Sequence, residues 1–174
     1  MASKAKNALL EAFLKLIETE AFEKITVTSL VEQCGISRQT FYYHFEDIEQ
    51  MLTWAFENET QTICNSQVAG KWTDSAKAYI ALLNKYDLMI RKGAQSPHFV
   101  FIFNLLYNSF YTFIDAYIQK TQSSKTPLNK DHTFLVSCLA ASYAGLVVKE
   151  IQKPESDYEG LLEKITNAFN VMPN

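Results

Sequence analysis

Apolar residues recur at helical spacing from the start of this chain. Leu9, Phe13, Leu16 and Ile17 fall three or four positions apart or side by side, on one stripe of a helix. Ser3 is placed to cap that helix, which is expected to end near Glu20. Phe22 and Ile25 follow in a connector that inserts them into a core. Thr26 reads as the next N-cap, its hydroxyl serving a backbone N–H that the helix start leaves without a partner. Val27, Leu30, Val31 and Cys34 then mark a second, short amphipathic helix. Gly35 ends it, because glycine takes the left-handed conformation without steric penalty. Ile36 dips inward, and Ser37 caps a third helix from Arg38 to about His44, with Phe41 and Phe45 on one face. Asp47 and Gln50 read as a cap and its return partner for a long fourth helix, Ile48 to about Gln67.

The rest keeps the same rhythm. Helices are expected over Asp74 to about Arg91, from Ser96-Pro97 to about Gln119, over Asp131 to Ile151 and from Ser156 to about Val171. Residues 121–130, TQSSKTPLNK, form a polar loop. The stretch HFVFIF, residues 98–103, has strand propensity, but the apolar pattern continues at helical spacing to Ile118, so helix is expected. The fold class that follows is all-α. A three-helix helix-turn-helix head, residues 1–46, precedes a helical bundle, residues 47–174.

Composition narrows this picture. Five Gly and four Pro among 174 residues suit long helices with short joints. The formal net charge is -3, so bulk charge does not announce a nucleic-acid binder, and any case for one rests on local geometry. The three cysteines are far apart and form no CxxC, which points away from a disulfide framework or a zinc site and toward a reducing cytoplasm. Glu11 and Lys15 interrupt the N-terminal apolar stretch, so it does not read as a signal peptide. No run approaches the ~18 apolar residues of a bilayer span; the richest, Phe99 to Phe113, contains Asn104, Asn108 and Ser109. His44, His98 and His132 are isolated, and HExxH, GxSxG, P-loop and GxGxxG motifs do not occur. Neither catalysis nor a metal or cofactor is expected.

A helix that reads DNA must be anchored on one side and carry reaching groups on the other. With Phe41 and Phe45 inward, rotation of ~100° per residue places Gln39, Thr40 and Tyr43 outward. Tyr42 and His44 lie on the flanks, and Arg38 sits at the N-terminal end. Gln39 has the amide that suits adenine, and Arg38 the fork that suits guanine. The string from Ile25 to Leu52, ITVTSLVEQCGISRQTFYYHFEDIEQML, resembles the TetR family of regulators. GISRQTFYYHF resembles in particular its dihydroxyacetone-kinase regulator-like branch. The specific match covers about Leu9 to Leu52. The resemblance implies that Thr26 and Thr28 touch phosphate and that Ser37, Arg38, Gln39 and Thr40 face base edges. It further implies that Tyr42, Tyr43 and His44 hold the DNA backbone, which positions a protein without reading sequence. The chain departs from the family at the start of the fourth helix. Ile48 stands where a phosphate-binding lysine is usual, after Glu46 and Asp47. Residues 1–52 hold five basic and eight acidic side chains, a net of -3, which is poor for affinity driven by counterion release. Two readings stay open. The acids face away while Lys4, Lys6 and Arg38 steer, or the head binds weakly and works through a protein partner.

The body is rich in aromatic residues between Trp54 and Tyr117. They read as packed core or, as the resemblance implies, as the wall of a pocket for a small-molecule effector. His98, Asn104, Tyr107, Asn108 and Tyr111 would supply its few polar groups. Leu135, Leu139, Ser142 and Leu146 lie near one stripe that suits a dimer interface, with Ala140, Ala141, Ala144 and Gly145 permitting close helix approach. A two-fold dimer would bind a palindromic operator, and the fourth helix would carry a ligand's effect to the head. The expected function is a cytoplasmic, ligand-responsive, DNA-binding transcriptional regulator that represses. The alternative is a coactivator of the same fold acting through another regulatory protein.

Overall fold

Helix caps and buried apolar stripes set the boundaries of every element in the N-terminal part of the chain. The computed structural model describes residues 2–66, 72–121 and 131–171, and no strand occurs among them. The helices are α1 (Ala2–Thr19), α2 (Val27–Cys34), α3 (Arg38–His44), α4 (Ile48–Ser66), α5 (Trp72–Ala94), α6 (Phe99–Thr121), α7 (His132–Glu150) and α8 (Tyr158–Val171), with a 3-10 turn at Phe22–Lys24. HFVFIF is accordingly turn and helix, not strand. Ser3 lies within α1 and not before its start. The chain between Ser96 and His98 is a turn that precedes α6. The polar loop expected at residues 121–130 lies, apart from Thr121, outside the described residues.

Contacts divide the chain into two units. The first comprises Met1–Asn58 and Leu88–Leu105, the second Glu59–Asp87 and Leu106–Asn174. In the first, Leu9, Phe13 and Ile17 of α1 are buried, as are Phe22 and Ile25 of the connector. The Thr26 side chain accepts from the Ser29 N–H at 3.1 Å, and Ser29 Oγ accepts from the Thr26 N–H at 3.0 Å. This reciprocal pair satisfies two donors at the start of α2. Gly35 ends α2 at φ 68, with its N–H on the Val31 carbonyl. Ile36 N–H reaches the same carbonyl at 3.0 Å.

The end of α1 carries no basic residue of its own. Lys92, near the end of α5, supplies that charge. Its ammonium donates to the carbonyls of Ile17 at 2.7 Å and Glu20 at 3.0 Å, oxygens that a helix terminus otherwise leaves to water. The next residue is Gly93, where an added Cβ would sit 2.7 Å from Ile102 and 3.1 Å from Phe22. Only a residue without a side chain lets α5, α6 and the connector approach this closely.

In the second unit the buried Thr60, Ser109 and Glu150 are paired, as burial requires. Thr60 and Ser109 share a hydrogen bond at 2.6 Å, and the Tyr79 hydroxyl donates to Ser109 at 2.7 Å. Tyr86 donates to Glu59 at 2.5 Å, on the carboxylate oxygen that also accepts from Lys85 at 2.6 Å. Burial, with the Glu59 charge beside it, pushes the Tyr86 phenol well above its ordinary value. His132 bonds Asp115 at 2.7 Å, tying the start of α7 to α6. Glu150, buried at the end of α7, accepts from Lys153 at 2.7 Å and from the Asp157 N–H at 3.0 Å. Asp115 and Glu150 therefore have separate partners. Burial alone would raise the Glu150 carboxyl, but these donors and the Lys153 charge outweigh it and hold it below its usual value.

No unbroken run of ~18 apolar residues occurs in either long apolar helix, yet two described helices pass a spanning test by length and mean hydropathy. Residues Phe99–Lys120 and His132–Glu150 reach mean hydropathies of 1.2 and 1.3 over a spanning length. Polar interruptions such as Asn104 and Ser142 break the run of apolar residues without lowering its mean far. Both helices contribute buried side chains to the protein's own core.

Two outcomes follow. At Gly35 a Cβ meets nothing within 4 Å, so Gly35→Ala suffers only the left-handed backbone penalty of about 1–2 kcal/mol. Urea unfolding should show that loss, and an unchanged midpoint would refute it. Glu150 stabilises fully above the ordinary carboxylate value of 4.5, and its contribution fades as pH falls through its lower folded value. Glu150→Gln should therefore be less stable than the parent at neutral pH, with the difference shrinking in strong acid.

Candidate nucleic-acid interface

The third helix is seven residues long, too short to persist without its neighbours. Ser37 fixes its start by accepting from the Thr40 N–H at 3.1 Å. Phe41 is fully buried and Phe45 nearly so, their rings 5.9 Å apart. Phe45 also packs on Trp54 of α4 at 5.6 Å. The inner side is thus rigidly seated in the first unit.

The outer side is a strip of Arg38, Gln39, Tyr42 and Tyr43, all exposed. Tyr43 is 82% and Tyr42 59% exposed, so both tyrosines belong to the projecting face and Tyr42 is not merely a flank. Thr40 is half-buried, and its hydroxyl lies 2.8 Å from that of Ser37. Both hydroxyls therefore serve the cap first. Arg38 leans back across the turn to hydrogen-bond the Thr28 hydroxyl, which brings α2 and α3 polar groups together on one surface. Thr26 is exposed beside them, its side chain in the reciprocal cap. His44 is half-buried, edge-on to Tyr43 at 4.9 Å.

The charges around the head have partly local roles. Asp47 accepts from the Gln50 N–H at 2.7 Å, and the Gln50 side chain accepts from the Glu46 N–H at 2.7 Å. The anticipated cap of α4 is present, its return bond falling one residue earlier than expected. Glu49 bonds His98 at 2.7 Å, and the His98 ring rests on Phe22 at 4.9 Å. Lys6 lies over the rings of Phe45 and Trp54 at 5.2 and 5.0 Å, an attraction of cation to ring face. It is held against the core, while Lys4 is exposed.

The body residues fall into separate places. The second unit holds a cavity between α5, α6, α7 and α8, walled by side chains such as Tyr79, Leu83, Phe110, Tyr143 and Leu162. None of His98, Asn104, Tyr107, Asn108 or Tyr111 lines it. His98 belongs to the first unit, Asn104 and Asn108 are exposed, and Tyr107 and Tyr111 are half-buried with rings 6.3 Å apart. Helical phase explains the separation. Phe110 and Phe113 face the cavity, and the residues chosen for polarity sit on the other side of α6. The aromatic spacing signalled a wall but not which face would form it.

On α7, Leu135 and Leu146 are exposed, Ser142 is exposed and Leu139 is half-buried. Phe134, 72% exposed, extends that apolar surface, although it stands outside the leucine spacing that marks the stripe in the sequence. Ala140 and Ala144 are buried within the second unit, leaving Ala141 and Gly145 on the outer side. Among the described residues no group of His, Cys, Asp and Glu could hold a metal ion.

Residues 9–53 match the model of the family described as bacterial regulatory proteins, tetR family. The HTH-type dhaKLM operon transcriptional activator DhaS of Lactococcus lactis subsp. lactis (strain IL1403) is 35% identical over 60 residues, 34% of this chain and 32% of that protein. The chain thus matches about a third of that relative's length. A solved structure of a dihydroxyacetone kinase operon activator, DhaS, superposes with a TM-score of 0.72 at 22% identity, over 94% of this chain and 92% of that one; this likeness shows the fold. The relative is an activator, which overturns the expectation of a repressor. The sign of regulation depends on where an operator lies and what the bound protein touches, and helix-turn-helix residues encode neither. The head of the chain, residues 9–53, thus matches the tetR family of bacterial regulatory proteins, and the chain shares its fold with a dihydroxyacetone kinase operon activator.

Proposed function

We propose that this protein is a cytoplasmic, DNA-binding transcriptional activator that acts as a two-fold dimer and responds to a small molecule. The exposed strip of Arg38, Gln39, Tyr42 and Tyr43 on a firmly seated helix carries the reading. Arg38 and Gln39 would read base edges, and Tyr42 and Tyr43 would grip the backbone. Thr26, Thr28, Ser37, Thr40 and His44 would add contacts at the margins. With Lys6 held on aromatic rings, few cations are left to release counterions, so recognition would rest on hydrogen bonds and shape more than on charge.

Dimerisation through α7 is supported by its exposed apolar side chains, Phe134, Leu135 and Leu146, since such patches on a folded surface mark interaction sites. An activator must also touch another protein. Phe99 and Val100, 42% and 67% exposed at the start of α6, offer an apolar surface in the same unit as the head.

Fluorescence anisotropy on promoter DNA tests the first claim. Binding to a palindrome should weaken at least tenfold in Arg38→Ala/Tyr43→Ala, since a good base-reading pair supplies about 1–3 kcal/mol. Its salt dependence should be shallow, with a log–log slope smaller in magnitude than about 5. Indifference to sequence at low salt would overturn the reading. For the dimer, Leu135→Glu/Leu146→Glu should sediment as a helical monomer with operator affinity lost; a dimer surviving both charges would place the interface elsewhere.

A further inference from the structure

We infer that the cavity of the second unit takes a small, uncharged, apolar molecule, aromatic or short-chain aliphatic, and not a polyhydroxylated one. The inference rests on the reading that the body holds an effector site. It then assigns that effector's chemistry.

Four helices contribute to the wall, with Leu83, Phe110, Val147 and Leu162 as one apolar side chain from each. Among the described residues of the wall there is no Asp, Glu, Lys, Arg, His, Asn or Gln, and their side-chain heteroatoms belong to Tyr79, Tyr143 and Tyr158. Two of those hydroxyls already have strong acceptors. Tyr79 donates to Ser109 at 2.7 Å, and Ser109 is itself shared with Thr60 at 2.6 Å. Tyr158 donates to Asp87 at 2.6 Å, on the same oxygen that accepts from Ser156 at 2.6 Å. Burial pushes the Tyr143 phenol up to about 12, so it offers no charge at any ordinary pH. Tyr79 is shifted further in the same direction by its burial.

A ligand here meets ring faces, methyl groups and committed hydroxyls. A three-carbon polyol such as dihydroxyacetone, the compound in the name of the superposed activator's operon, would give up its hydrogen bonds to water and find few in return. That exchange is unfavourable. An apolar molecule gives up nothing and removes its surface from water. The cavity volume is about 40 Å³, well below the roughly 300–1,000 Å³ of sites for drug-sized ligands, so its occupant is small. Leu161, Leu162 and Ile165 of α8 are only half-buried at its margin, so entry requires no deep opening of the core.

The test uses the full chain with indole as the apolar probe and dihydroxyacetone as the polar one. Indole should raise the thermal unfolding midpoint in a concentration-dependent way and give intermolecular NOEs to the Phe110 and Tyr79 rings. Leu162→Trp, which fills the cavity from its half-buried edge, should weaken that binding at least tenfold. Because Leu162→Trp could disturb packing, the NOEs on the unaltered protein decide independently. Absence of indole NOEs to those rings, or dihydroxyacetone NOEs to them, overturns the inference. Operator affinity measured with and without saturating indole separates the two readings. Occupancy of the cavity with unchanged affinity upholds its apolar chemistry and removes the effector role.

Discussion

The projecting face of α3 depends on the burial of Phe41 and Phe45. A helix of seven residues has three backbone N–H groups at most in good internal bonds, and isolated helices of that length are not stable in water. The two phenylalanines convert α3 into a side of the core. Burying a phenylalanine side chain contributes about 1.5–3 kcal/mol, more than any single cap. Ser37, Gly35 and the Thr26–Ser29 pair then determine where the helix begins and at what angle the chain enters it. The projecting strip is the geometric remainder: once positions 41 and 45 face inward, positions 38, 39, 42 and 43 have nowhere else to go.

The same unit shows how a head is fastened to the helices beside it. Lys92 caps α1, Gly93 lets α5 and α6 draw close, and Glu49 holds His98. These contacts join α1, α4, α5 and α6 within the first unit. The unit boundaries at Asp87 and Leu105 fall inside α5 and α6, so each of these helices contributes residues to both units.

The acidic head is less paradoxical than its net charge suggests. Asp47 is a helix cap and Glu49 an ion-pair partner of His98, so these carboxylates are present for folding reasons. Lys6 likewise stabilises aromatic rings. What remains exposed on α3 is a strip of hydrogen-bonding and aromatic groups, which would suit specific contact better than long-range attraction.

Much of this was legible in the residues themselves. Helical periodicity located all eight α-helices to within a few residues, and local chemistry identified Thr26, Gly35, Ser37 and Asp47 as caps, because a cap is made by residues three or four positions apart. The inward pair Phe41 and Phe45 followed from rotation along one short helix, as did the outward Gln39 and Tyr43, whereas Thr40 is half-buried and Tyr42 joins the projecting face. Tertiary structure alone decided the rest. Which side of α6 faces the cavity, and so why Phe110 lines it while Asn104, Asn108, Tyr107 and Tyr111 do not, is settled by neighbouring helices distant in sequence. The Lys92 clasp on α1, the close approach at Gly93 and the Glu49–His98 pair join residues many positions apart. Periodicity states that a residue lies on a face; only packing states what that face meets.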